Sequence, residues 1–172
     1  IYNVMLERRP DLVAELVKPW YRDRRNEIPP GKDPWFELPI FCFEQGYFSC
    51  SWHNFYTRSS QRFEELPRFT EAQIEALDMI DTLADELRYE MDFEPGDIQF
   101  LHNHVVVHGR TFYEDWPEPE RKRHLLRLWL ATPNGRPLPD AVLERYVGLK
   151  PGQRPAGIIV ENMELSTPLD PE

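Results

Sequence analysis

Residues 102–130 read HNHVVVHGRTFYEDWPEPERKRHLLRLWL, two alternating runs joined by a proline-rich loop, and they constrain the fold more than any other stretch. In extended backbone alternate side chains share a face, so Ile98, Phe100, His102, His104, Val106 and His108 align on one side of the first run. In the second run His124, Leu126, Leu128 and Leu130 form one face, and Arg123, Leu125, Arg127 and Trp129 the other. A face that is nearly all leucine belongs in a core. Strand, loop, strand is the expected form of this region, with the guanidiniums of Arg123 and Arg127 on the side away from that core.

The remainder of the chain reads as mixed α and β structure without repeats. Leu12, Val13, Leu16 and Val17 share a helical face in residues 10–18, which stop at Pro19. The aromatic runs FELPIFCF and GYFSCSW flank Gln45 and Gly46 and predict an antiparallel hairpin, with Pro39 at an edge or bulge. Thr70, with Gln73 three residues on, has the capping-box pattern. Ile74, Leu77, Ile80, Leu83, Ala84 and Leu87 follow at helical spacing. EPGD then turns the chain into residues 98–108. The whole, 1–172, is expected to be one domain, with 133–172 a Pro/Gly-rich extension of it that carries a short helix from Asp140 to Tyr146.

Charge narrows the partners. With 20 basic and 30 acidic residues and a net charge of −10, the chain is not built for nucleic acid or an anionic membrane surface. A small polar metabolite suits it better. No apolar run approaches the roughly 18 residues of a membrane span and no signal segment opens the chain, so a cytoplasmic location is expected. Cys42 and Cys50 flank the hairpin turn and are expected to be reduced, packed thiols.

Strand geometry separates the histidines into two questions. At about 3.3 Å per residue His104 and His108 lie roughly 13 Å apart, too far to share an ion, whereas His102 and His104 are close enough. Those two are either polar strand residues or two ligands of a cupin-like metal site. His108 stands alone at a strand end beside Gly109. Arg123 and Arg127 suit planar, bidentate capture of carboxylates or similar oxyanions; the alternative is that they are solvated or paired with the chain's many acids. Arg58 and Arg62 are further candidates for substrate contact, and Trp52, Phe55, Tyr56 and Trp129 for lining a pocket, unless they are core.

PGDIQFL followed by NHVVVHGRTFYEDWPEPERKRHLLRLWL resembles the C-terminal part of the TauD/TfdA-type family of iron(II)- and 2-oxoglutarate-dependent oxygenases. The likeness extends from near Ile1 to about Pro139 and is strongest between Pro95 and Leu130. It implies a double-stranded β-helix, a jelly roll of mainly β structure of the clavaminate synthase-like kind, with helices packed outside. It implies Fe(II) and 2-oxoglutarate as cofactor and co-substrate, with dioxygen oxidising a C–H bond of a small anionic substrate and release of succinate and CO2. By motif, His108 matches the distal metal histidine, Arg123 the arginine that grips the far carboxylate of 2-oxoglutarate, and Arg127 an arginine that in some members reaches the substrate. No catalytic residue is implied beyond these.

The family's other ligands form a His-x-Asp or His-x-Glu pair, and no such tripeptide occurs in this sequence. The resemblance places that pair ahead of Ile1. The chain is therefore expected to be the C-terminal half of an oxygenase, to bind iron weakly and turn over nothing by itself, and to self-associate through unpaired sheet edges. Two other readings stay open: a cupin-like metal protein using His102 and His104, and a non-catalytic jelly-roll module that binds an anion or a partner chain.

Overall fold

The computed structural model describes residues 1–130 and 135–144. Helices α1 (Tyr2–Arg8) and α2 (Pro10–Leu16) meet at Arg9, whose non-helical backbone breaks one helix from the next. Pro10 occupies the first turn of α2, where its missing N–H costs nothing. Leu12, Val13 and Leu16 are buried as the spacing predicts, while Val17 is exposed beyond the helix end.

Strand β1 (Tyr21–Asp23) pairs antiparallel with β2 (Trp35–Glu37), and β3 (Phe41–Glu44) with β4 (Tyr47–Cys50). The expected hairpin is present. Gln45 and Gly46 both take positive φ, 49° and 81°, the turn whose twist suits a two-residue hairpin. Pro39 does more than mark an edge: it separates β2 from β3, so the run from Trp35 belongs to two sheets. Arg22, buried in β1, holds the junction by donating to the carbonyls of Pro39 (3.2 Å) and Ser51 (2.5 Å).

Helix α3 (Asn54–Ser59) and a 3-10 turn (Ser60–Arg62) lead to α4 (Glu71–Glu86). The capping box at the start of α4 is fully formed: Thr70 Oγ1 accepts from Gln73 N–H at 3.2 Å, and Gln73 Oε1 accepts from Thr70 N–H at 3.0 Å. Ala76, Leu77, Ile80 and Leu83 pack on Leu12, Val13 and Leu16 of α2, with Trp20, Ile40 and Phe41 completing the core. Ile74 and Leu87, one turn out at either end, are exposed.

In β3, Phe41 faces Cys50 across the hairpin and Cys42 faces Ser49. The two thiols are thus diagonal and on opposite faces, and both are free. Phe41 joins the main core, whereas Cys42 packs with Leu38 and with Val142 of the short helix α5 (Asp140–Glu144). Tyr146 and the rest of the expected C-terminal extension lie outside the described residues.

Mixed helix and strand is therefore the architecture, but the strands are few. Helix α4 alone, with 16 residues, outweighs strands of three, three, four and four residues. Among the described residues two small sheets stand in place of the mainly β, closed jelly-roll barrel that the resemblance implies. No described helix is long and apolar enough to cross a membrane.

Candidate functional site

The segment that carries the candidate residues departs most from expectation. EPGD forms its turn, with Gly96 at φ 100° and Asp97 N–H donating to the Glu94 carbonyl at 3.0 Å. Beyond it neither residues 98–108 nor 123–130 form a strand. Val105 and Val106 N–H both donate to the His102 carbonyl, at 2.9 and 3.1 Å, so the histidines sit in a turn. One bond reaches the hairpin, from Cys50 N–H to the His104 carbonyl at 2.7 Å. The leucine face is likewise not core: Leu126, Leu128 and Leu130 are 65%, 85% and 74% exposed. An alternating pattern specifies which face a strand would bury, but pairing needs a neighbouring strand and burial needs a covering layer. Among the described residues neither hydrophobic cluster includes a residue from this segment.

His108 is exposed, and its Nε2 lies 3.2 Å from Asn103 Oδ1. Because that oxygen only accepts, Nε2 is the donor of this bond. Burial, then His102 and Arg136, push His104 down from its ordinary pKa, favouring the neutral imidazole. The rings of His102 and His104 meet edge to face with centroids 6.0 Å apart. Among the described residues no group of three or more His, Cys, Asp or Glu is placed to hold a metal ion. One imidazole does not make an iron site, which takes two histidines and a carboxylate.

Arg123 and Arg127 are both exposed, and among the described residues neither guanidinium makes an ion pair or hydrogen bond. The Arg123 guanidinium lies 5.2 Å from the centre of the Tyr113 ring, and Arg110 lies 4.4 Å from the same ring. The backbone N–H of Arg123 donates to Asp115 Oδ1 at 2.9 Å. Among the described residues no hydrogen bond links either arginine to His108. Asn103, Arg110, Tyr113 and Asp115 escaped sequence reasoning. An Asp opening a proline-rich loop, with short-range backbone donors beside it, was the one available sign.

Four of the other candidates have structural employment. Arg62 pairs with buried Asp23 (2.7 Å) and Arg58 with Asp78 (2.7 Å) and Asp81 (3.4 Å), so neither is a free anion contact. Trp52 packs against the main core, Tyr56 stacks on His53 with centroids 3.6 Å apart, and Phe55 and Trp129 are exposed.

Comparison with known proteins gives three matches. The model of the family described as "Taurine catabolism dioxygenase TauD, TfdA family" matches residues 1–129. "FR-33289 synthase" from Streptomyces rubellomurinus is 32% identical over 163 residues, covering 90% of this chain and 47% of that protein. "Taurine hydroxylase-like protein SAT17" from Stachybotrys chartarum is 33% identical over 131 residues, covering 74% of this chain and 33% of that protein. The chain thus spans less than half the length of these relatives.

Proposed function

The chain belongs to the taurine catabolism dioxygenase TauD, TfdA family, and from that membership we propose an Fe(II)- and 2-oxoglutarate-dependent dioxygenase that oxidises a C–H bond of a small anionic metabolite. Succinate and CO2 are the co-products. Arg123 grips the far carboxylate of 2-oxoglutarate, Arg127 meets the anionic group of the primary substrate, and His108 supplies one nitrogen donor to the metal.

The observation that carries this reading is that Arg123 and Arg127 have no ion-pair partner among the described residues, in a chain with 30 acidic residues. A planar fork that the described carboxylates leave unneutralised is available for a carboxylate or sulfonate from outside. The name of one relative points to taurine, whose sulfonate is the kind of group Arg127 suits. With Nε2 of His108 tied to Asn103, Nδ1 is the ring nitrogen left to meet a metal.

The described residues alone do not build an iron centre, since they assemble no three-donor group. The activity proposed is that of the whole protein, and what this chain contributes is tested by binding. Calorimetric titration with 2-oxoglutarate should give binding in the wild type that Arg123→Ala loses and Arg123→Lys restores only in part, because an ammonium keeps the charge without the fork. Equal affinities in the wild type and Arg123→Ala would overturn the assignment.

A further inference from the structure

We propose that Asp115 is a positioning residue for Arg123, closing the loop between them so that the guanidinium is presented from a fixed backbone. The inference rests on the reading of Arg123 as the co-substrate arginine.

Asp115 Oδ1 accepts from Arg123 N–H at 2.9 Å and from Trp116 N–H at 3.3 Å. One carboxylate oxygen therefore ties together the two ends of a loop eight residues long in sequence. Within the loop, Pro119–Arg121 forms a 3-10 turn, with Arg121 N–H bonded to the Glu118 carbonyl at 3.0 Å. The Arg121 guanidinium stacks 3.3 Å above the centre of the Trp116 ring. Such a loop, with its ends joined and Arg121 stacked on Trp116, is compact rather than a floppy connection. A hydrogen bond to a carboxylate is the strong kind, and here it sits on the backbone of the very residue that must aim a fork.

Tyr113 adds the second constraint. Its ring has the Arg123 guanidinium at 5.2 Å and that of Arg110 at 4.4 Å, so the head of Arg123 is held at the ring while its backbone is held at Asp115. An arginine side chain has many rotamers, and fixing it before the ligand arrives lowers the ordering cost of binding.

The test compares Asp115→Ala with Asp115→Asn, which keeps a side-chain acceptor. Two probes are titrated, 2-oxoglutarate and 2-oxobutanoate, the second having the same keto-acid end and no far carboxylate. Asp115→Ala should weaken 2-oxoglutarate roughly three- to tenfold, Asp115→Asn should recover most of that, and 2-oxobutanoate should respond to neither. Amide hydrogen exchange of the unliganded protein should speed up at Arg123 in Asp115→Ala. Unchanged 2-oxoglutarate affinity in Asp115→Ala, or equal weakening of both probes, would overturn the proposal. Should the wild type and Arg123→Ala bind 2-oxoglutarate alike, the co-substrate assignment is what has failed; the exchange rate at Arg123 then decides the clasp alone, and no change there refutes it.

Discussion

Arg62 holds Asp23 through both carboxylate oxygens, Nε to Oδ2 at 2.7 Å and Nη2 to Oδ1 at 3.1 Å. The backbone N–H of Arg25 adds a third bond at 2.7 Å. Asp23 is buried and Arg62 half exposed, so the arginine caps a carboxylate that water scarcely reaches. Arg62→Ala is expected to cost about 1–3 kcal/mol in urea denaturation, while leaving 2-oxoglutarate affinity unchanged. Loss of ligand binding without loss of stability would return Arg62 to the list of substrate contacts.

The same carboxylate makes stability depend on acid. Burial acts to raise the Asp23 pKa, but the bonds from Arg62 and the Arg25 backbone outweigh it and hold the group below its ordinary value. With the folded pKa under the unfolded one, near 3.9 in model peptides, the contribution is complete above that pH and fades as pH falls through the folded value. Urea midpoints measured downward from about pH 5 should drop more steeply in the wild type than in Asp23→Asn. Parallel slopes would contradict the assignment.

Helix α4 offers a sharp contrast between neighbours on one predicted stripe. Leu77 is fully buried against α2, so Leu77→Ala should destabilise by about 2–5 kcal/mol. Ile74 is 42% exposed, and Ile74→Ala should cost under about 1 kcal/mol. Denaturant melts of the two variants read the difference directly.

Both thiols should be slow to react. Burial raises the Cys42 thiol and pushes Cys50 up to about 11. At pH 8 the thiolate fraction of Cys50 is then roughly one in a thousand. Iodoacetamide should label the native protein slowly and label both cysteines quickly in urea. Their diagonal placement on opposite faces of the hairpin predicts that mild oxidation yields no Cys42–Cys50 disulfide, which intact-mass measurement checks.

What sequence reasoning could see was set by how local the determining interaction is. The Thr70 capping box, the Gln45 and Gly46 turn and the middle of the α4 stripe, Leu77, Ile80 and Leu83, are decided within a few residues, and each is present as expected. Pro39 was legible as an interruption but not as a switch between sheets, because that depends on β1, some sixteen residues earlier at Asp23. The Asp23–Arg62 pair spans 39 residues and has no sequence signature. Residues 98–108 and 123–130 have a strand's alternation, yet pairing is non-local, and among the described residues the hairpin offers the first of them a single backbone bond, from Cys50. The residue types at His108, Arg123 and Arg127 suggested a site; Asn103, Tyr113 and Asp115 emerge only from the folded loop.

The central claim is that His108 and Arg123 serve one ligand, the first through a metal and the second through a carboxylate. Anaerobic titration of 2-oxoglutarate, with and without iron(II), into the wild type and His108→Ala tests it most directly. For the whole protein, to which the proposed activity belongs, the account predicts that iron(II) tightens 2-oxoglutarate binding in the wild type and has no effect in His108→Ala. Affinity that ignores iron(II) in both proteins, or a gain from iron(II) that survives the loss of His108, would contradict it.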